Sequence, residues 1–169
     1  TILLKDKNKN STGIEIEAFP VPGKVALFLE DKNKGNNFGT DEEDTIGLKI
    51  IDSNTKNFFF YLPACAEMTK DLKNRLKGAP MVFFDGTLWT DDEMLTANVG
   101  VKKTGKRMGH MSMSGSKGSI EAFSNLDIKR KIFIHINTTN PALLENSSER
   151  KTANAAGWEI AYDTMEIKI

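Results

Sequence analysis

Two histidines and a single cysteine are the only side chains of their kinds in this chain, so their surroundings restrict the chemistry open to it. His135 lies in the apolar run KIFIHI, between Ile134 and Ile136, and the polar cluster Asn137, Thr138, Thr139, Asn140 then runs into Pro141. An imidazole in the middle of such a strand has two readings. It is a core histidine bonded to backbone, the commoner outcome for a lone histidine, or a ligand delivered to a metal, since neutral imidazole is the commonest transition-metal ligand. Asp85 closes a second apolar run, MVFFD, and precedes Gly86. A carboxylate there is costly to bury unless it is hydrogen-bonded, paired or metal-bound. It either caps its own turn or joins His135 in an Asp/His donor pair. Two ligands are too few for a tight site, so further donors have to come from elsewhere.

His110 sits in MGHMSMSG, flanked by Met108, Met111 and Met113. The segment is an apolar loop packing over a sheet, or it brings a histidine to the same site as ligand, acid–base group or orienting group. Ser112 lies beside it. Asn137 and Thr139 either satisfy the backbone of their turn or point donors at a ligand beside His135. Cys65, with no histidine close in sequence, reads as packing. The acidic stretch 41–44 lacks calcium-loop spacing. The glycines between 100 and 118 match neither a phosphate-binding loop nor a dinucleotide fingerprint.

The elements that must position these groups follow from periodicity. Residues 13–21 alternate apolar and charged, as a half-buried strand does. Residues 24–31, 45–52 and 58–62 read as three more strands, the last two as a hairpin, with a polar loop at 32–44. The N-terminal TILL also reads as part of a strand. Residues 65–78 form a helix, with Met68, Leu72 and Leu76 on one face and Gly78 at its end. Residues 80–89 are a strand covered on both faces. A Thr90–Glu93 capping box opens a helix over 90–98, and 100–118 is a loop. A short helix at 119–126, a strand at 131–136, a helix at 147–157 and two closing strands, WEIAYD and MEIKI, complete the chain. The order predicts an α+β fold in one domain, 1–169, with helices packed against a sheet.

Composition excludes more than it identifies. The chain has 169 residues, enough to bury a core without disulfides or a structural metal. Lys plus Arg equals Asp plus Glu at 23 each, so charge points to neither nucleic acid nor an anionic membrane. No apolar run is long enough to span a bilayer as a helix. A lone cysteine fits a reducing compartment.

Four stretches taken together, FFDGTLWTDDEM, KTGKRMGHMSMSG, KIFIHINTTNPALL and AAGWEIAYDTMEI, resemble the C-terminal half of the PqqB family of pyrroloquinoline quinone (PQQ) biosynthesis. FPVPGKVALFLED and GTDEEDTIGLKI are similar to the middle of that family. The resemblance implies a metallo-β-lactamase-like αββα sandwich, of which this chain forms mainly the second sheet-and-helix half. It implies Asp85 and His135 as metal ligands; their place near these two then suggests His110 as a catalytic group and Ser112, Asn137 and Thr139 as substrate-binding residues. Iron is the implied metal, with zinc the other candidate. The implied activity is iron-dependent hydroxylation of the tyrosine ring in a peptide-derived Glu–Tyr precursor, in the bacterial cytoplasm. A PQQ carrier assisting export, without catalysis, is the alternative, and hydrolysis a third. The family's main ligand cluster and its cysteine-rich zinc segment find no match here. A missing N-terminal half or a partner subunit is therefore expected to complete the site.

Overall fold

Alternating side chains and tight turns build the first half of the sheet, and helical crossovers build the second. The computed structural model describes residues 1–35, 37–100 and 103–169. Asn36, in the expected loop at 32–44, and Val101 and Lys102, in the expected loop at 100–118, lie outside the described residues. Seven strands form one sheet in chain order: β1 (Ile2–Lys5), β2 (Ser11–Pro20), β3 (Ile46–Asp52), β4 (Phe58–Leu62), β5 (Met81–Asp85), β6 (Arg130–Ile134) and β7 (Trp158–Ile160). The first four pair antiparallel and the last four parallel. A parallel neighbour needs a crossover, and the crossovers carry α1 (Lys70–Leu76), then α2 (Glu93–Thr96), α3 (Gly105–Met108) and α4 (Ser119–Ala122), then α5 (Ser148–Ala155).

One face of the sheet makes the core. Phe60, Leu62, Val82, Phe84 and Phe133 pack there against Leu72 and Leu76 of α1, Phe123 and Leu126 after α4, and Ala153 of α5. The apolar spacing read for the first helix holds at Leu72 and Leu76, but the helix is shorter than expected. Thr69, whose hydroxyl accepts from the Leu72 amide at 3.2 Å, starts it after Met68. Gly78, at φ 72°, follows its end. In α5 the serine start is Ser147, which accepts from the Arg150 amide at 3.0 Å.

Four expectations are corrected. Residues 24–31 are not a strand: β2 pairs directly with β3 along its length, Ile14 opposite Asp52 through Pro20 opposite Ile46, which leaves no partner for a strand between them. Leu27–Leu29 is instead a 3₁₀ turn whose side chains face solvent. The closing MEIKI is not a strand either; Ile169 ends beside Ile14, Ile50 and Phe59 in a cavity of about 400 Å³. No Thr90–Glu93 box forms, because Asp92 takes the cap position of α2 and the Glu93 carboxylate accepts from the Trp89 amide at 2.6 Å. Finally, His135 is not inside a strand. β6 stops at Ile134, and His135 turns out of the sheet at φ 53°.

Candidate metal centre

Asp85 and His135 meet because β5 and β6 are parallel neighbours that end together. Asp85 is in register with Ile134, and the Gly86 amide donates to the Ile134 carbonyl at 2.8 Å. Gly86 permits that approach, since a Cβ there would stand 2.9 Å from the Phe133 Cβ. The carboxyl ends of parallel strands are where open sheets place ligands. The left-handed backbone at His135 is one that side-chain-bearing residues rarely adopt. Strain of this kind, of order 1–3 kcal/mol, collects at functional sites.

The third group arrives from the loop between these strands. α3 starts at Thr104, whose hydroxyl accepts from the Arg107 amide at 3.1 Å, and ends at Gly109, at φ 89°. The next residue, His110, is fixed by its own amide on the Gly105 carbonyl at 2.9 Å and by the Met111 amide on the Cys65 carbonyl at 2.7 Å.

Asp85 is completely buried, and its two oxygens are fully engaged. Oδ1 accepts from the Thr87 amide at 3.1 Å and the Thr87 hydroxyl at 2.6 Å. Oδ2 accepts from the Cys65 amide at 3.0 Å and contacts His110 Nδ1 at 2.7 Å. An ionised carboxylate only accepts, so His110 Nδ1 carries the proton. His135 Nδ1 lies 3.9 Å from Oδ1 and 2.9 Å from the Thr87 hydroxyl, which bridges the two. The His110 side chain is 14% exposed and that of His135 53% exposed.

Burial pushes the Asp85 carboxyl up, but the bonds from His110 and Thr87 and the nearby His135 ring outweigh it and hold the group below its ordinary range. Asp85 therefore stays ionised. The same interaction raises His135 against the opposing effect of its partial burial. The Cys65 thiol is pushed up to about 12, chiefly by burial, so it is a packed, inert thiol whose amide supports Asp85.

One donor atom each from Asp85, His110 and His135 falls within 4.8 Å of the others. One carboxylate and two imidazoles at a strand-end rim fit a divalent transition ion, as in zinc sites and in non-haem iron sites with open positions. His110 borders two hollows. A cleft of about 930 Å³ also includes Ser112, Lys73, Lys106 and Met111. A smaller cavity of about 380 Å³ includes His135, Val25, Leu27 and Met108.

Ser112 shares the larger cleft with His110, and its hydroxyl donates to the Ser114 carbonyl at 3.2 Å. Asn137 and Thr139 direct their polar atoms elsewhere. Asn137 Nδ2 donates to Thr139 Oγ1 at 2.7 Å, and Thr139 donates to the Glu93 carboxylate at 2.5 Å, tying the turn after β6 to α2. Asn140 is buried in the same turn and donates to the Gly86 carbonyl at 2.9 Å. Sequence reasoning missed Thr87, the hydroxyl that links all three candidate ligands. Its signal was in view, two residues after Asp85 in FFDGT.

The family model of the β-lactamase superfamily domain matches residues 4–136. The chain belongs to the β-lactamase superfamily. Within it, the chain is 52% identical over 158 residues, 94% of its length, to coenzyme PQQ synthesis protein B of Xanthomonas oryzae pv. oryzae. It is 53% identical over 157 residues to the Bradyrhizobium diazoefficiens protein of the same name. The resemblance to PqqB read from the sequence motifs is thus borne out. Among solved structures, Zn²⁺-bound PqqB from Methylobacterium extorquens matches with a TM-score of 0.85 at 43% identity, over 93% of this chain and 51% of that one. The metallo-β-lactamase fold protein YhfI from Bacillus subtilis matches at 11% identity over 90% of this chain and 48% of that one, with a TM-score of 0.55; this shows the fold alone. The expected metallo-β-lactamase-like α+β fold is therefore confirmed. The chain spans about half the length of the curated relatives it matches. Among the described residues, no helix is long and apolar enough to cross a membrane.

Proposed function

We propose that this chain supplies one rim of a metal centre in PQQ biosynthesis, and that the reaction is iron-dependent hydroxylation of the tyrosine ring of a peptide-derived Glu–Tyr precursor. The convergence of Asp85, His110 and His135 carries the metal part of this reading. The similarity to coenzyme PQQ synthesis protein B supports the pathway. Iron held by Asp85, His135 and donors from further polypeptide would pass electrons from an external reductant to dioxygen, the chemistry that hydroxylation of a phenol requires.

The chain's own residues have separable roles in this reading. Asp85 is kept ionised and rigid by the Cys65 amide and Thr87. It fixes the proton of His110 on Nδ1, so the other ring nitrogen is the one free to take a donor or acceptor role. Asp85 and His135 hold the ion, and donors from further polypeptide complete its coordination. His110 also borders the larger cleft, where it can receive the phenol proton. Ser112 is the substrate-facing hydroxyl of that cleft. Asn137 and Thr139 reach a substrate only by exchanging the bonds they make with each other and with Glu93. The reading puts this work in the bacterial cytoplasm, where the lone thiol stays reduced.

The test uses the full-length protein, loaded anaerobically with iron or with zinc and then given the Glu–Tyr precursor, dioxygen and a two-electron reductant such as ascorbate, because one oxygen atom enters the ring and the other leaves as water. Mass spectrometry should find the precursor heavier by one oxygen atom with iron alone. Equal product without iron, or tight PQQ binding with no metal requirement, would overturn the hydroxylase reading, the latter in favour of a carrier. Asp85→Ala and His135→Ala should each remove most bound metal, measured by elemental analysis; full occupancy in either would defeat the ligand assignment.

A further inference from the structure

His110 follows a helix of only four residues, α3, in a segment with glycines at 100, 105, 109 and 115. So short a helix cannot hold itself in place, because one turn fixes several backbone torsions for very few hydrogen bonds. The structure holds α3 at two points. At its start, Asp91 accepts from the Gly105 amide through its carbonyl at 2.8 Å and from the Lys106 amide through its carboxylate at 2.7 Å. Towards its end, Arg107 places Nη1 and Nη2 on the two oxygens of Glu30, at 3.0 and 2.7 Å. Lys24 also pairs with that carboxylate. The Glu30 side chain is 8% exposed, and the Arg107 guanidinium lies 3.7 Å over the Phe38 ring. A two-pronged Arg–carboxylate bond stacked on an aromatic ring fixes direction as well as distance. Beyond the second anchor, the Gly109 turn runs against Lys24 so closely that a Cβ at 109 would stand 3.0 Å from the Lys24 Cβ.

We propose that the Glu30–Arg107 ion pair is the positioning device for His110, setting the imidazole against Asp85 and thereby tuning affinity for the ion. The inference rests on the reading of His110 as part of the metal centre. It gives a purpose to the segment at 24–31, which makes no strand yet is fastened at Lys24 and Glu30. Arg107 bonds to Glu30 and stacks on Phe38, and makes no hydrogen bond to the triad. Its effect passes through Met108 and Gly109 to the His110 backbone.

The test measures binding of zinc alone to the full-length protein by chelator competition, in the parent, Arg107→Ala, Arg107→Lys, Glu30→Gln and His110→Ala. Removing a group that orients a ligand weakens metal binding by about 10–100-fold. Arg107→Ala and Glu30→Gln should fall in the lower part of that range. Arg107→Lys, which keeps the charge but loses the fork, should recover only part of the loss. Proton NMR of the metal-free protein adds a readout that folding alone does not move: the hydrogen-bonded Nδ1 proton of His110 should broaden or shift in Arg107→Ala while the backbone spectrum stays native. Unchanged zinc affinity in Arg107→Ala, with His110→Ala clearly weakened, would overturn the positioning role and leave the metal reading intact. Unchanged affinity in His110→Ala would remove His110 from the metal centre and overturn the positioning role with it, while the ligand roles of Asp85 and His135 stand or fall on their own variants. If Arg107→Ala fails to fold, Glu30→Gln decides the matter by the same two measurements.

Discussion

Asp85 concentrates the chemistry of this chain in one buried carboxylate that serves four donors. Its removal harms the fold as well as the site. Asp85→Ala strands the buried Cys65 and Thr87 amides, at about 1–3 kcal/mol for each unsatisfied group. The metal-free variant should therefore lose about 3 kcal/mol in urea unfolding, and a loss below about 1 kcal/mol would contradict the bonding described. Glu30 gives a pH signature of its own. Its carboxyl is lowered from 4.5 to about 2, first by the bond from Arg107 and then by Lys24. A folded-state value below the unfolded one means that the stabilising contribution is complete above pH 4.5 and fades as pH falls towards 2. Glu30→Gln should flatten the acid limb of a stability–pH curve in that window and leave its slope above pH 5 unchanged, as followed by circular dichroism.

At the scale of elements, the parallel pair β5–β6 matters most, because it converts two distant sequence positions into one rim. Gly86 is the tight point of that pair. Gly86→Ala would press a methyl group on Phe133 and the Ile134 carbonyl, and overpacking of this kind costs about 1–3 kcal/mol. Thermal unfolding should show the loss, and metal affinity should fall with it because the strand ends are forced apart. The helices obey local chemistry more simply. Thr69→Ala removes the hydroxyl that accepts the Leu72 amide, and should cost about 1 kcal/mol without changing metal affinity. Segment 24–31 shows the limit of local reasoning. VALFL has the composition of a strand, but strand formation depends on a free neighbour, and β2 and β3 already pair with each other.

Across the whole molecule, one aromatic cluster locks the last strand to the sheet. Trp158 stacks on Phe133 at 3.8 Å with planes 11° apart, and Phe84 and Phe123 pack around it. Trp158→Ala should cost about 3–5 kcal/mol in denaturant unfolding. Its indole N–H has no hydrogen-bond partner among the described residues, so Trp158→Phe should retain most of the stability. The sequence alone determined much of this architecture. Alternation marked β2, a polar turn between two apolar stretches marked the β3–β4 hairpin, continuous apolar runs marked β5 and β6, and caps marked α1 and α5, because these signals arise between residues close along the chain. It also singled out Asp85, His110 and His135, since a carboxylate or imidazole beside apolar runs demands a reason. Tertiary structure alone decided how they meet. The shared end of two parallel strands brings Asp85 beside His135, the Thr87 hydroxyl links them, and bonds from Asp91, Glu30 and the Cys65 carbonyl hold the loop that carries His110. Those contacts join residues far apart in sequence, and no local periodicity encodes which distant partner a side chain will find.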